Sequence, residues 1–265
     1  MARIEDLVFV EMQRASRLAN RDGIVVPSLD LFVADQRTGS RKLTKSAINR
    51  LVKAGKVRTV RRDLLVLSNV TGQFVVGVSE LIGVIAPWPY MITGGRALQE
   101  YKLTDQHYFS TTVLVPSRVS KFEYDGEKAV FIAATKDKIW GWKNVRKLHI
   151  ATPDRAIIDS LSSSRYNVSF SQALTALNLA IQGNSKFLEE LISSTRRYGS
   201  HSLARRIGFL ISQLVGHDAA EPFGDMIGFS RTPVLLRPGG RIDGVLDTKW
   251  RLVINATTEL EGRQV

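Results

Sequence analysis

The chain has 265 residues, 44% of them hydrophobic, with 37 Lys and Arg against 25 Asp and Glu, so its net charge is +12. It holds no cysteine, which excludes disulfides and thiolate metal sites and fits a reducing cytoplasm. The length suggests two domains, and the charge makes a polyanion the expected partner. The most apolar window, residues 74–89, is broken by Glu80 and prolines. The N-terminus places Glu5 and Asp6 where a signal peptide carries cations. Neither a membrane segment nor a leader is therefore expected.

Residues 1–72 contain 14 basic and 7 acidic side chains, an excess of +7 (14 − 7) in about a quarter of the chain. A first helix is expected over residues 4–18, where Leu7, Val8, Met12, Ala15 and Leu18 fall at core spacing. Ser28 can cap a short helix over 29–35, and the RTGS run at 37–40 supplies a turn. Residues 45–54 read as an amphipathic helix capped by Thr44 and stopped by Gly55. Its apolar set is Ala47, Ile48, Leu51, Val52 and Ala54; its polar set is Lys45, Ser46, Asn49, Arg50 and Lys53. After Gly55, KVRTVRRDLLVL alternates and then becomes continuously apolar, predicting a hairpin with its turn near residues 61–63. No acid occurs from Arg37 to Arg62.

Helix, turn, helix and basic hairpin in that order predict a winged helix-turn-helix over residues 1–72 that binds double-stranded DNA. Lys45, Ser46, Asn49, Arg50 and Lys53 are the candidates for the major groove; Asn49 can read adenine, and Arg50 guanine or a phosphate. Arg41, Lys42, Arg58, Arg61 and Arg62 are the candidate phosphate contacts. Duplex DNA is preferred over RNA because no aromatic-rich strand pair is legible as a stacking platform.

Residues 73–265 mix strands and helices and predict a larger α+β domain. Residues 74–85 suit a helix or a buried strand, and Thr93 can cap a helix carrying Ala97, Leu98 and Tyr101. Strands are expected over 107–116, 128–135 and 147–151. Thr152 and Pro153 then open a helix with Asp154 in its first turn. Three helices follow around 171–181, 186–198 and 203–214, and a last strand is expected over 250–255.

Several motifs in this order resemble the AbiEi-type antitoxins, the regulator halves of type IV toxin–antitoxin pairs. Thr44 followed by LVKAGKVRTVRR matches that family's capped helix and arginine-bearing strand. Ala151, Thr152, Pro153, Arg155 and Asp159 match its A-T-P-x-R-x-x-x-D run, and Tyr90, Gly94, Gly95, Ala97, Leu98 and Leu103 match its tyrosine, small-residue turn and helix. The family's wing closes on a glycine and an aromatic, where this chain has Asp63-Leu64-Leu65. The resemblance implies a repressor that binds the operator of its own promoter. It also implies a second domain that counters a nucleotidyltransferase-fold toxin without a stable complex.

No enzymatic or cofactor motif is legible. His107, His149, His201 and His217 share no metal-ligand spacing. TGGR at 93–96 could present backbone amides to a phosphate, though a glycine-shaped cap is the plainer reading. Arg155 and Asp159, four apart, can pair on one helix, or Arg155 can be exposed for toxin-related work. Trp140, Trp142 and Trp250 read as core or edge aromatics. Asp225, Asp243, Asp247 and Lys249 faintly resemble a metal-dependent nuclease, against which GRIDGVLD reads as a polar turn. A protein-docking module built on the basic helix is the other alternative.

Overall fold

The computed structural model describes residues 3–21, 23–228 and 232–256. The chain is α+β, and its contacts divide it into two units: Met1–Ala86 with Ser120–Ala129, and Pro87–Val119 with Val130–Val265.

In the first unit, α1 (Ile4–Leu18) is followed by β1 (Ile24–Val25), α2 (Pro27–Asp30), α3 (Phe32–Thr38) and α4 (Arg41–Lys53). Next come β2 (Val57–Arg61), β3 (Leu64–Leu67) and α5 (Val78–Ile85). The single helix expected over 29–35 is two short ones. Asp30 explains the break: its carboxylate accepts the Val26 N–H at 2.7 Å and pairs with Arg21 at 2.8 Å, closing the first turn on itself. The helix expected over 45–54 begins four residues earlier. Ser40, not Thr44, is the N-cap, and its Oγ accepts the Lys42 N–H. Thr44 is buried instead, with its hydroxyl 2.8 Å from that of Thr38. Gly55 ends α4 as expected, at φ +70, with Lys56 N–H bonded to the Leu51 carbonyl and Gly55 N–H to that of Val52.

The core of this unit joins Val8 and Met12 of α1 to Ala34 of α3, Ala47 and Leu51 of α4, and Val57, Leu65 and Leu67 of the hairpin. Fully burying a leucine there contributes about 1.5–3 kcal/mol, which fixes the face that α4 turns inward. Val52 and Ala54, expected on that face, are exposed. The sheet order is β1-β3-β2, antiparallel throughout, and a two-residue turn at Arg62-Asp63 joins β2 to β3.

The second unit contains β4 (Met91–Thr93), α6 (Gly95–Glu100), β5 (Ser110–Val115), and most of the strand that follows the return of residues 120–129 to the first unit. β6 (Phe122–Tyr124) lies in that return, β7 (Glu127–Ala133) starts in it and continues into the second unit, and β8 (Trp142–Val145) and β9 (Leu148–Ala151) come next. The sheet of the second unit runs β7-β5-β4-β9-β8, with β4 and β9 parallel. Helices α7 (Pro153–Ser162), α8 (Phe170–Gly183), α9 (Phe187–Tyr198) and α10 (His201–Leu214) lie near the three helices and the capped helix expected from sequence. α11 (His217–Gly224), which contains Pro222, was not expected. β10 (Val234–Leu235), β11 (Val245–Asp247) and β12 (Leu252–Ile254) close a small sheet with β12 in the middle.

α7 is the hub: every residue from Asp154 to Leu161 is buried, against α6, α8, α9 and α10. Gly208 lets α10 approach the small sheet, because a Cβ there would stand 2.2 Å from the Trp250 ring. No helix among the described residues is long and apolar enough to cross a membrane.

Candidate nucleic-acid interface

With α4 anchored by Thr44, Ala47, Ile48 and Leu51, the rest of its surface faces outward. At about 100° per residue, Arg41, Lys45, Asn49, Lys42, Lys53 and Ser46 fall within one arc of about 140°. All six are exposed, Asn49 sits near the middle, and no acid interrupts the arc. Arg41, Lys42, Lys45 and Lys53 have no ion-pair partner among the described residues, and neither does Arg62 at the tip of the β2–β3 hairpin.

The other arginines expected to touch DNA are already engaged within the unit. Arg50 falls on the flank of α4, where its Nη1 donates to Glu5 of α1 at 2.5 Å. Arg61 donates twice to Asp63 across the hairpin turn, at 2.8 and 3.1 Å. Arg58 packs over Phe74 at 4.3 Å and Tyr124 at 5.5 Å, and its Nη1 reaches Asp125 at 3.5 Å. Of the ten candidates, three carry an acid of their own, and seven have none among the described residues. These pairs are not legible in the sequence, because Glu5 and Asp125 are distant in the chain; only Asp63 lies near its partner, two residues from Arg61.

The second unit holds a buried polar network on α7. Arg155 is 1% exposed, so it is not presented to a partner as one reading of the motif required. Its Nε donates to Asp159 at 3.2 Å, its Nη2 donates to the Lys138 carbonyl at 3.1 Å, and its guanidinium stacks on Trp140 at 4.4 Å. Thr93 does not cap α6. It ends β4, and its hydroxyl donates to Asp159 at 2.7 Å. The TGGR glycines serve packing: a Cβ on Gly94 would stand 2.5 Å from the Tyr166 carbonyl, and one on Gly95 would stand 2.3 Å from the Tyr108 ring.

Two more cations are internal. Arg206 donates to the Leu235 carbonyl at 2.8 Å, and burial pushes its pKa down to about 10. Arg205 donates to the Thr232 carbonyl at 2.8 Å. The basic excess of this unit is therefore not all surface charge.

The acids considered for a nuclease occupy turns. Asp247 Oδ1 accepts the Trp250 N–H at 2.7 Å, closing the β11–β12 turn, and Asp243 is exposed in the approach to β11. Among the described residues, no three His, Cys, Asp or Glu side chains gather as a metal site.

Aromatic side chains from two parts of the chain gather beside the β8–β9 pair, Trp88 and Tyr90 coming from the segment before β4. Trp142 of β8 and His149 of β9 lie 4.4 Å apart between ring centroids, with Trp88 and Tyr90 each 4.7 Å from His149. Burial lowers the His149 pKa.

No family model matches the chain. No curated protein matches it either. A similar solved structure is the crystal structure of the RV2827C protein from Mycobacterium tuberculosis, 13% identical, with a TM-score of 0.65 over 96% of this chain and 94% of that one. At that identity the likeness concerns the fold alone.

Proposed function

We propose that the chain is a cytoplasmic, non-enzymatic DNA-binding repressor whose first unit acts as a winged helix-turn-helix on the operator of its own promoter. The observation that carries this reading is the acid-free outward arc of α4, with Asn49 at its centre and four cations around it that have no ion-pair partner among the described residues. A helix of that kind suits the width of a major groove, with Asn49 reading an adenine edge and Ser46 an adjacent base. Arg41, Lys42 and Lys53 flank them as phosphate contacts, and Arg62 at the hairpin tip reaches the backbone from the other side. Arg50, Arg58 and Arg61 take a smaller part, because binding a phosphate requires each to leave a carboxylate.

The antitoxin role, countering a nucleotidyltransferase-fold toxin without a stable complex, rests on the family resemblance of the motifs around Tyr90 and Ala151–Asp159. Their buried setting supports a structural contribution of Arg155 and Asp159 to that role rather than a direct contact.

The test is binding of the full chain to its own upstream DNA, titrated against salt, beside a scrambled duplex. Preference for the upstream duplex at physiological salt is expected, weakened by Asn49→Ala. Equal and steeply salt-sensitive binding to both would remove the repressor reading. For the antitoxin role, co-expression with a neighbouring nucleotidyltransferase gene should restore growth, and unrelieved toxicity would refute it.

A further inference from the structure

We infer that the β8–β9 hairpin, with Trp88, is a binding site for unpaired bases of a single-stranded nucleic acid. The site is separate from the α4 surface and does not depend on the repressor reading.

Three observations carry it. Trp88 is 61% exposed although it belongs to an aromatic cluster, so one broad apolar ring is left in solvent. The cluster holds that ring in place: Trp88 stands edge-on to Trp142 at 5.5 Å and 79°, and to His149 at 4.7 Å and 66°. These T-shaped contacts hold the ring in place, and its 61% exposure leaves ring surface on which a base can stack. The third observation is charge. Of the cations in residues 136–147, Arg146 and Lys147 are the two at the end of this hairpin, while Lys143 alternates to the face opposite Trp142. Arg146 and Lys147 form the tight turn of the hairpin, both at positive φ, which lifts them into solvent at one end of the aromatic cluster. Arg146 lies 3.8 Å from Glu100, but its side chain is 83% exposed and remains open to a phosphate.

The hairpin strands fix which groups share the cluster's face. Asn144 is the cross-strand partner of His149 and two residues from Trp142, so it stands on the same face, exposed, with an amide able to reach a base edge. A duplex hides its base faces, so a cluster that offers a ring face, an amide and a cationic turn favours an unpaired strand over double-stranded DNA. β8 is also the edge strand of its sheet.

The experiment compares a short fluorescein-labelled oligoadenylate with an abasic strand of the same length and charge, both against the full chain by anisotropy. The oligoadenylate should bind more tightly, and Trp88→Ala should weaken it by about 5- to 150-fold while leaving the abasic strand unchanged. Trp88→Phe should retain most of the affinity, separating stacking from damage to the fold. Lys147→Gln should weaken both strands. Equal binding of the two strands, or an unchanged affinity in a folded Trp88→Ala variant, would overturn the inference. So would a Trp88→Phe variant as weak as Trp88→Ala. Operator binding measured on the same samples falls or stands separately, because it reads the α4 surface.

Discussion

Replacing Asp63 by Asn should turn a self-paired arginine into a phosphate ligand. Arg61 donates to both Asp63 oxygens, at 2.8 and 3.1 Å, from a side chain that is 25% exposed. An exposed pair of this kind contributes about 0–1 kcal/mol to stability, so the variant should melt close to the unchanged protein. Its DNA binding should change much more. Each additional phosphate neutralised steepens the plot of log K against log salt by about 0.9, so raising salt fourfold should cost the variant about 3.5-fold more affinity than the parent. The assay is anisotropy with upstream duplex over a salt series. Asp6→Asn makes the same change of charge at an exposed α1 position with no ion-pair partner among the described residues, so it controls for net charge. Glu5→Gln, which releases Arg50, should behave as Asp63→Asn does. The reasoning is refuted if Asp63→Asn keeps the slope of Asp6→Asn while Lys45→Ala flattens it.

Asp159→Ala should destabilise the second unit by about 3–5 kcal/mol, because it strands the buried Arg155 guanidinium and the Thr93 hydroxyl together. Urea unfolding followed by far-UV circular dichroism would measure this, and a loss under about 1 kcal/mol would mean that the site hydrates freely. Gly208→Ala places a methyl 2.2 Å from the Trp250 ring and should cost about 1–3 kcal/mol, read as a lower melting temperature. His149 gives the stability a sign in pH. Its folded pKa is depressed by burial, so its contribution is complete above its unfolded value near 6.5 and is lost as pH falls below that value toward the folded pKa. His149→Phe should remove this acid-side loss, and an unchanged pH profile of the melting temperature would show that the ring titrates freely.

Short-range pattern along the chain sets most element positions and the charge of one face. α1 is bounded at Ile4 and Leu18 because its apolar residues recur at helical spacing and end there. The Gly55 stop was legible because a left-handed residue is needed where α4 turns into β2, and the hairpin turn because Arg62-Asp63 interrupts two strand-like runs. The long helices α8, α9 and α10 were legible for the same reason, with ends that shifted by a few residues. The absence of acids from 37 to 62 makes the charge of one face legible in the sequence.

Tertiary structure decided what periodicity leaves open. Ser40 and Thr44 are both chemically able to cap a helix. The choice fell to Ser40 because Thr44 is held inside, against Thr38 and the core of the unit. Which arginines stay free was set by acids that the fold brings up from elsewhere, Glu5 from α1 and Asp125 from the returning segment, since a side chain pairs with its neighbour in space. The same holds for Arg155, where an i,i+4 pair was predictable, but its burial beneath Trp140 depends on helices drawn from across the second unit. The aromatic cluster joins residues from 88 to 149, and no local pattern announces it. Local order follows from short-range sterics and spacing, which the sequence carries directly. Site chemistry follows from which distant residues are brought within a few ångströms, and only the packed chain settles that.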